Sequence, residues 1–383
     1  MPTPNAVQFL NPSGTSDLYA LANKVYTGLV TSQARAKAYL YGSPFVWMDN
    51  IAGKQQKSSQ FFMMSDLPSP EDYQAGQYLV GQSYSMQEGT VALEKPIVQH
   101  NTVPLDQKHV SAVSWASYFG KQHGPRLIRE ADRRLFINAF LGARAAASTV
   151  NGNVIHTGGL RLKRGGNSAS STTALATAYP RTFAGAQRLR EDLRLLRLSM
   201  AQRNIDTEGL IPAMCVPELE AVLRCDNGIQ VGTAANTVIS GGSTLWSSEY
   251  GSGNRLHAGT PVYQVEGFAL TGFPVQTTGV NGGVWPWGNQ TAINGETPSK
   301  YVVNFSPTSS NGQPVFLAFP KTNDGGYPLG CVVVDGINTK VEMDESRTMT
   351  DFFRSHMFMG CDYMHPYALA TIEITSEADG TVS

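Results

Sequence analysis

The sequence is poor in charge. Asp, Glu, Lys and Arg make up 15% of its 383 residues, whereas about 25% is typical of globular domains. It also lacks any run approaching the roughly 18 apolar residues that a membrane-spanning helix needs, so we expect no contact with a membrane. The beginning, MPTPNAVQFLNPSG, has no basic region followed by an apolar run, and no secretion signal is expected there. Low charge beside 41% hydrophobic residues indicates that other copies of the chain cover part of the surface.

Catalytic motifs are equally scarce. There is no phosphate-binding GxxxxGK[ST] loop and no GxSxG nucleophile turn. The seven histidines are scattered, and no two of them form the HxxxH or HExxH spacing of a metal site. Neighbouring carboxylates such as Glu71 and Asp72 fit solvated loops. The sequence therefore predicts no catalytic residue, no metal and no cofactor, and a protein that is not an enzyme.

The four cysteines are Cys215, Cys225, Cys331 and Cys361, and none belongs to a CxxC pair. A zinc ribbon and a thioredoxin-like centre are therefore excluded. We expect buried free thiols, as in proteins of a reducing cytoplasm.

The length predicts two or three structural units, and the charge is unevenly distributed among them. Between residues 121 and 203 we count fifteen Lys or Arg and four Asp or Glu, a net charge of +11, so the remaining residues carry −12. Two interpretations stay open. One face of the protein lies near polyanions, or two helices simply carry solvated arginines.

The first residues form a polar, proline-containing arm, which we expect to dock on another surface, and a long stretch without a core of its own follows it. QKSSQFFMM and GTVALEKPIVQHNTVP read as extended, and turn residues lie between them. The pattern predicts a two-stranded ribbon, which is marginal in water without a partner surface. Its large apolar side chains are Phe61, Phe62, Met63, Met64 and Leu67.

Helical patterns come next. We expect a short helix within residues 16–40, another one ended by Gly120 or Gly124, and a long helix that starts at Pro125, a residue favoured at the first helical position. A further helix should run from about residue 182 to 203, bury a leucine stripe and pair Arg188 with Asp192. A short helix over VPELEAVLRC should follow an apolar strand.

The remainder is rich in glycine, serine and asparagine, with short strands and a final pair of alternating strands. Residues 278–312 read as a surface insertion that contains Trp285 and Trp287.

This order of parts resembles the Hong Kong 97-type major capsid protein of tailed bacteriophages. It is closest to the podovirus branch, the short-tailed phages related to phage T-seven. The stretches that carry the likeness are GKQQKSSQFF, LIREADRRLFINAF, LREDLRLLRLSMAQRNID with GLIPAMCVPELEAVLR, VEGFALTGFPV and MHPYALATIEI. They resemble the start of the extended loop, the spine helix, the axial helices with their strand, the strand after them and the closing strand of the peripheral domain.

The resemblance implies an α+β fold with an N-terminal arm, an extended β-ribbon loop, a peripheral domain with a long spine helix, and an axial α/β domain. The implied boundaries are 1–48 for the arm, 49–104 for the ribbon, 105–155 for the peripheral domain, 156–340 for the axial domain with its insertion at about 278–312, and 341–383 for the closing peripheral strands.

The implied function is that of a major capsid protein that self-assembles, as pentamers and hexamers, into an icosahedral shell around a double-stranded DNA genome. Its location would be the virion, after assembly in the host cytoplasm. The apolar ribbon residues would contact a neighbouring subunit. The arginines that would face DNA without reading its sequence are Arg126, Arg129, Arg133, Arg134, Arg188, Arg190 and Arg194. A portal protein and a separate scaffolding protein are the other expected partners.

Three alternatives remain at this point. A bacterial nanocompartment shell would share the fold. A hydrolase or lyase would need a pocket that joins a histidine to an acid. A receptor-binding β-protein could use Trp285 and Trp287, although the arginine-rich helices argue against it.

Overall fold

The computed structural model describes residues 20–54, 56–64, 72, 76, 78, 81, 84–104, 114–166, 171–203, 205, 209–223, 225, 263–272, 301, 303, 305, 312–323, 325–344, 350–376 and 379. Leu67, Trp285, Trp287 and most of the predicted insertion lie outside these residues. The helices in the described part of the chain are α1 (Ala20–Lys37), α2 (Trp115–Ala143), α3 (Ser171–Ala178), α4 (Phe183–Ala201) and α5 (Pro217–Leu223).

The long helix α2 differs from its prediction. It is continuous through Pro125, so the expected break before this proline is wrong. Gly120 and Gly124 do not end a helix either. A side chain at Gly124 would collide with the backbone of Val30, and one at Gly120 with Leu29. The glycines therefore mark the place where α1 crosses α2 at close range, which a search for helix-ending residues cannot recognise.

Helix α1 packs on its own chain. Tyr26 and Val30 are fully buried, and the backbone amides of Tyr39, Leu40 and Tyr41, just after the helix, donate to the carboxylate of Asp132 on α2 at 2.8–3.0 Å. Our expectation that this arm docks elsewhere is therefore wrong for residues 20–48, which belong to the body of the subunit.

A four-stranded sheet lies against these two helices, in the order β1-β12-β13-β4. Its strands are β1 (Val46–Asn50), β4 (Ile97–Pro104), β12 (Leu329–Asp344) and β13 (Thr350–Tyr363). β1 is parallel to β12, and the other pairs are antiparallel. Two predicted boundaries are wrong, because β4 belongs to this sheet rather than to the ribbon and β12 runs through residue 340.

The second sheet has six strands in the order β7-β14-β11-β8-β10-β9. They are β7 (Leu160–Gly165), β8 (Ile211–Cys215), β9 (Tyr263–Val265), β10 (Phe268–Gly272), β11 (Gln313–Ala318) and β14 (Ala370–Thr375). The expectation that the last strand closes the peripheral domain is wrong, since β14 lies between β7 and β11.

One core joins the layers. The predicted stripe of α4, Leu189, Leu193, Leu196 and Met200, is buried in it, and Thr182 caps this helix by accepting from the Gly185 amide at 3.3 Å. Tyr301 and Phe305 are also buried there, so the end of the predicted insertion is core rather than surface. The four cysteines are free thiols, and three of them are buried.

Candidate assembly interface

The ribbon consists of β2 (Ser58–Met64) and β3 (Met86–Ala92), paired antiparallel from Ser58 opposite Ala92 to Met64 opposite Met86. Side chains along a strand alternate between its two faces. The ribbon therefore has an inner face, which carries Phe61, Met63 and Val91, and an outer face.

The inner face of the ribbon packs on its own subunit. Val91 forms a buried cluster with Ile51 and Val332, and the ring of Phe61 lies 6.5 Å from that of His365. The ring of Phe61 also packs over Gly89, which lies opposite it on β3. It fills the space that a side chain at position 89 would occupy. This part of the ribbon has a core within its own chain, so our expectation of a coreless ribbon, supported only by a neighbour, is wrong for this face.

A small hairpin also holds the inner face. It is formed by β5 (Ser148–Val150) and β6 (Asn153–His156). The Ser148 hydroxyl donates to Gln87 Oε1 at 2.8 Å, and Asn153 Nδ2 donates to the Ser85 hydroxyl at 3.0 Å. These bonds fix the direction in which the ribbon leaves the body.

The outer face is apolar and uncovered. Phe62 is 55% exposed, Met64 52% and Met86 46%, and Glu88 lies opposite Phe62. Large apolar side chains that share one exposed face are typical of a contact surface. Of the predicted contact residues, the structure thus brings Phe62 and Met64 to this surface, buries Met63 and leaves Phe61 half-buried against its own chain.

The predicted DNA-facing arginines of α2 divide into two groups. Arg126 and Arg129 are exposed. Arg133 and Arg134 are buried and pair with Glu130 at 2.6 and 3.2 Å. Because ion pairs within the chain already use these two guanidinium groups, their assignment as DNA-facing residues is wrong for this structure.

Arg134 also ties the base of the ribbon to α2. Its Nη1 donates to Glu94 Oε2 at 3.1 Å, and the Tyr301 hydroxyl donates to Glu94 Oε1 at 2.7 Å. Glu94 lies just beyond the end of β3, which is Ala92, so this buried network anchors the point where the ribbon meets the body.

The arginines of α4 are also largely engaged. Arg190 and Arg194 each reach Glu266 at 2.7 Å. Burial alone would raise the pKa of Glu266, but its hydrogen bonds to these two arginines hold that pKa below the usual range. Arg190 is buried, which excludes it as a DNA-facing residue, whereas Arg194 is exposed.

The predicted pair of Arg188 with Asp192 is not observed. Arg188 reaches Asp379 at 2.6 Å. Asp192 is bound by Arg164 and accepts from the Tyr179 hydroxyl at 2.5 Å. Both side chains therefore bind partners from other parts of the chain instead of pairing with each other along the helix.

No arrangement of catalytic type emerges from the described residues. A cavity of about 500 Å³ lies between α1, α2 and the bulge in β12, and Asp335 is the one carboxylate in its lining, which contains no histidine. Within the part of the chain that the structure describes, no group of three or more His, Cys, Asp or Glu could hold a metal ion. No described helix is long and apolar enough to cross a membrane.

Sequence reasoning missed half of the outer face, because it counted only the apolar run of the first ribbon strand. The signal lay in the second strand, MQEGTVA. Its exposed residues Met86, Glu88 and Thr90 alternate with the more buried Gln87, Gly89 and Val91. Such a period of two predicts one exposed face.

Comparison with solved structures identifies this architecture. The capsid of cyanophage P-SCSP1u matches with a TM-score of 0.63 and 18% identity over 88% of each chain. The mature capsid of bacteriophage PhiM1 matches with a TM-score of 0.61 and 13% identity, over 88% of this chain and 86% of that one. The capsid of Ralstonia phage GP4 matches with a TM-score of 0.52 and 12% identity, over 90% of this chain and 93% of that one.

No family model matches the sequence. No curated protein matches it either. The structural likeness spans nearly the whole chain, and at these identities it establishes the fold. The chain therefore has the α+β, Hong Kong 97-type fold of phage capsid chains, as expected from the sequence.

Proposed function

We propose that this chain is the major capsid protein of a tailed phage of the short-tailed (podovirus) branch. It would assemble into the icosahedral shell that encloses the double-stranded DNA of the phage. The observation that carries the proposal is the match of nearly the whole chain to two phage capsid chains at TM-scores above 0.6. The outward apolar face of the ribbon supports it, since a subunit that worked alone would gain nothing from exposing Phe62, Met64 and Met86.

The energetics favour many weak contacts over one strong contact. Fully burying a large apolar side chain contributes about 1.5–3 kcal/mol, and these three side chains are already about half buried. A single ribbon contact is thus worth a few kcal/mol before the costs of association. Repetition in a closed symmetric shell makes such contacts sufficient and leaves each of them reversible during assembly.

The expected partners belong to the proposal as well. Pentamers and hexamers of this chain would form the shell in the host cytoplasm, with a portal protein and a separate scaffolding protein. Double-stranded DNA would bind without sequence preference through the arginines that remain exposed, Arg126, Arg129 and Arg194. A nanocompartment shell would have the same fold, and the contents of purified particles, DNA or cargo enzymes, distinguish the two.

The test is to purify the full chain and to measure particle mass and shape by mass photometry and negative-stain microscopy, with and without a candidate scaffolding protein. We expect pentamers, hexamers and closed shells for the wild type. The double variant Phe62→Ser, Met64→Ser should stay folded and lose shells. Leu198→Ser, which changes an equally exposed apolar residue on α4, serves as the control and should retain them. A small oligomer of fixed size under all conditions would contradict the proposal.

A further inference from the structure

Two buried cysteines face each other across neighbouring strands of the four-stranded sheet. Cys331 on β12 lies directly opposite Cys361 on β13 in the antiparallel ladder, and both side chains are fully buried thiols. Residues in this position have Cα atoms about 4.5–5.5 Å apart and side chains on the same face of the sheet. A disulfide bond spans about 4.4–6.8 Å between Cα atoms. The two sulfurs can therefore be joined with little movement of the backbone.

Polar groups surround the Cys361 sulfur. Asn138 on α2 donates from Nδ2 to this sulfur at 3.0 Å and to the Cys361 carbonyl at 2.9 Å. The Tyr301 hydroxyl lies 3.1 Å from the same sulfur. Because an N–H donor stabilises negative charge on the atom that accepts from it, the Asn138 amide supports the charge that develops on the sulfur as its proton leaves. The thiolate is the form of cysteine that reacts with oxidants.

A route for the thiol proton leads from Cys361 toward the surface. The Tyr301 hydroxyl donates its single hydrogen to Glu94 Oε1 at 2.7 Å. It therefore accepts at the sulfur, and the Cys361 thiol is the donor of that contact. If the thiol proton passes to the Tyr301 oxygen while the tyrosine proton passes to Glu94, the sulfur loses a proton and the tyrosine stays neutral. The Glu94 side chain is 10% exposed, so the route ends near the solvent.

Cys331 has different surroundings from Cys361. Burial raises the pKa of the Cys331 thiol well above its ordinary value, and negative charge at Cys361 and Glu94 raises this pKa further. Cys331 therefore stays protonated at neutral pH. The pair thus combines one sulfur that has a route for its proton with a second sulfur that remains a thiol beside it.

We propose that Cys331 and Cys361 are a peroxide-sensitive dithiol, which closes to a disulfide bond between β12 and β13. The Cys361 sulfur attacks one oxygen of hydrogen peroxide, a molecule hardly larger than water. The O–O bond breaks, and a sulfenic acid and a water molecule form. The Cys331 sulfur then displaces the sulfenic oxygen, which leaves with the Cys331 proton as a second water. In total, two thiols are oxidised to one disulfide, and one hydrogen peroxide is reduced to two waters.

The bond would lock the centre of the four-stranded sheet. β12 and β13 are the two central strands of this sheet, and a covalent link would join them in addition to their hydrogen bonds. It would close a loop of about 30 residues and so restrict the unfolded chain. If the proposed shell function holds, capsids that have left the reducing cytoplasm would gain this stability. The chemistry itself does not depend on that function.

Thiol mapping on the purified, unassembled full chain tests the inference. The folded protein is treated with millimolar hydrogen peroxide, its remaining thiols are alkylated in denaturant, and its peptides are compared by mass spectrometry before and after reduction. We expect a linked pair of peptides that contains Cys331 and Cys361. Cys215 is also a buried thiol, but it has no cysteine opposite it on the neighbouring strands. It serves as the internal control and should be alkylated as before.

Two variants sharpen the test. Tyr301→Phe removes the hydroxyl that accepts the thiol proton and should slow formation of the disulfide by about tenfold or more. Cys331→Ala cannot form the bond. Peroxide treatment should raise the melting temperature of the wild type by roughly 5 °C, and the same treatment should not raise that of Cys331→Ala.

The inference is wrong if both thiols of the folded wild type survive the treatment, or if Cys361 is oxidised to a sulfinic acid without bonding to Cys331. An equal rate of disulfide formation in Tyr301→Phe would refute the proton route through the tyrosine. Because the assay uses unassembled chains, its failure would leave the shell function standing. A wild type that forms the disulfide but no shells would refute the shell function alone.

Discussion

The two sheets of this subunit differ in how completely they are buried. In the six-stranded sheet, every residue of β8, β11 and β14 is buried, so both faces are covered within the chain. In the four-stranded sheet, β13 alternates between buried and half-buried residues over most of its length, so one face is only partly covered. The ribbon repeats this asymmetry, with a packed inner face and an exposed outer face. The subunit thus buries both faces of its six-stranded sheet, whereas the four-stranded sheet and the ribbon each have one face that it covers only in part.

This difference gives the two regions different sensitivities. A substitution in the six-stranded sheet should lower the stability of the isolated subunit. A substitution on the outward faces of the ribbon and the four-stranded sheet should leave that stability nearly unchanged and affect association. Four experiments test this division, beginning with the largest expected effect.

Glu373 should be the most sensitive position. It is fully buried in β14 and pairs with Arg144 at 2.7 Å and with Arg161 at 2.6 Å. Glu373→Gln would leave two guanidinium groups without their counter-charge, and removal of one partner from a buried ion pair costs about 3–5 kcal/mol. Urea unfolding would measure the loss. The control is Asp379→Asn, which removes the half-exposed partner of Arg188 and should cost less than about 1 kcal/mol; equal losses would contradict the division.

Neighbouring residues of β13 provide the second test. Met357 is fully buried, whereas Phe358 lies on the opposite face of the strand and is only partly buried. Met357→Ala should lower the free energy of unfolding by about 2–5 kcal/mol. Phe358→Ala should lower it by less than about 1 kcal/mol, although it removes the larger side chain. Thermal or urea unfolding of both variants would reveal the difference, and the reverse order would show that the two faces have been assigned wrongly.

Acid should loosen the contact between α1 and α2. Burial, together with the charges of Arg126 and His100, lowers the pKa of His123 to about 4, and the neutral ring bonds Tyr26 at 2.5 Å and Asn101 at 2.8 Å. An unfolded histidine titrates near pH 6.5. Between pH 6.5 and 4 the unfolded chain therefore binds a proton that the folded chain does not, and stability should fall across this window by up to about 3 kcal/mol.

His123→Gln removes this titration. We expect the variant to be less stable at pH 7 but to lose less stability between pH 6.5 and 4, as measured by urea unfolding at several pH values. Identical slopes for variant and wild type would show that other groups cause the acid sensitivity.

The smallest effect concerns the hairpin that holds the ribbon. Ser148→Ala removes the hydrogen bond to Gln87, a contribution of about 0.5–1.5 kcal/mol. Hydrogen exchange of the β3 amides should become faster, whereas exchange in β8 and β11 should stay the same. Faster exchange throughout the subunit would mean that the ribbon is not a separate unit of stability.

The sequence predicted most of the elements because their signals are local. The stripe of α4, its start near Thr182 and the apolar run of β2 depend on spacings of two to four residues. The errors involve contacts between distant segments. Gly124 looks like a helix end and proves to be the site where α1 crosses, and Arg133 looks like a solvated cation and proves to be buried beside Glu130.

By itself, then, the sequence determined the order of helices and strands, the low charge, the free cysteines and a ribbon whose two faces alternate. It did so because local spacing and composition govern these properties. Only the tertiary structure decided which face of the ribbon packs on its own subunit and which arginines remain exposed. It also decided that Lys340, Arg354 and His100 lie side by side on neighbouring strands. His100 lies far from the other two residues in the chain, and it reaches them only because β4 pairs with β13 in the folded subunit.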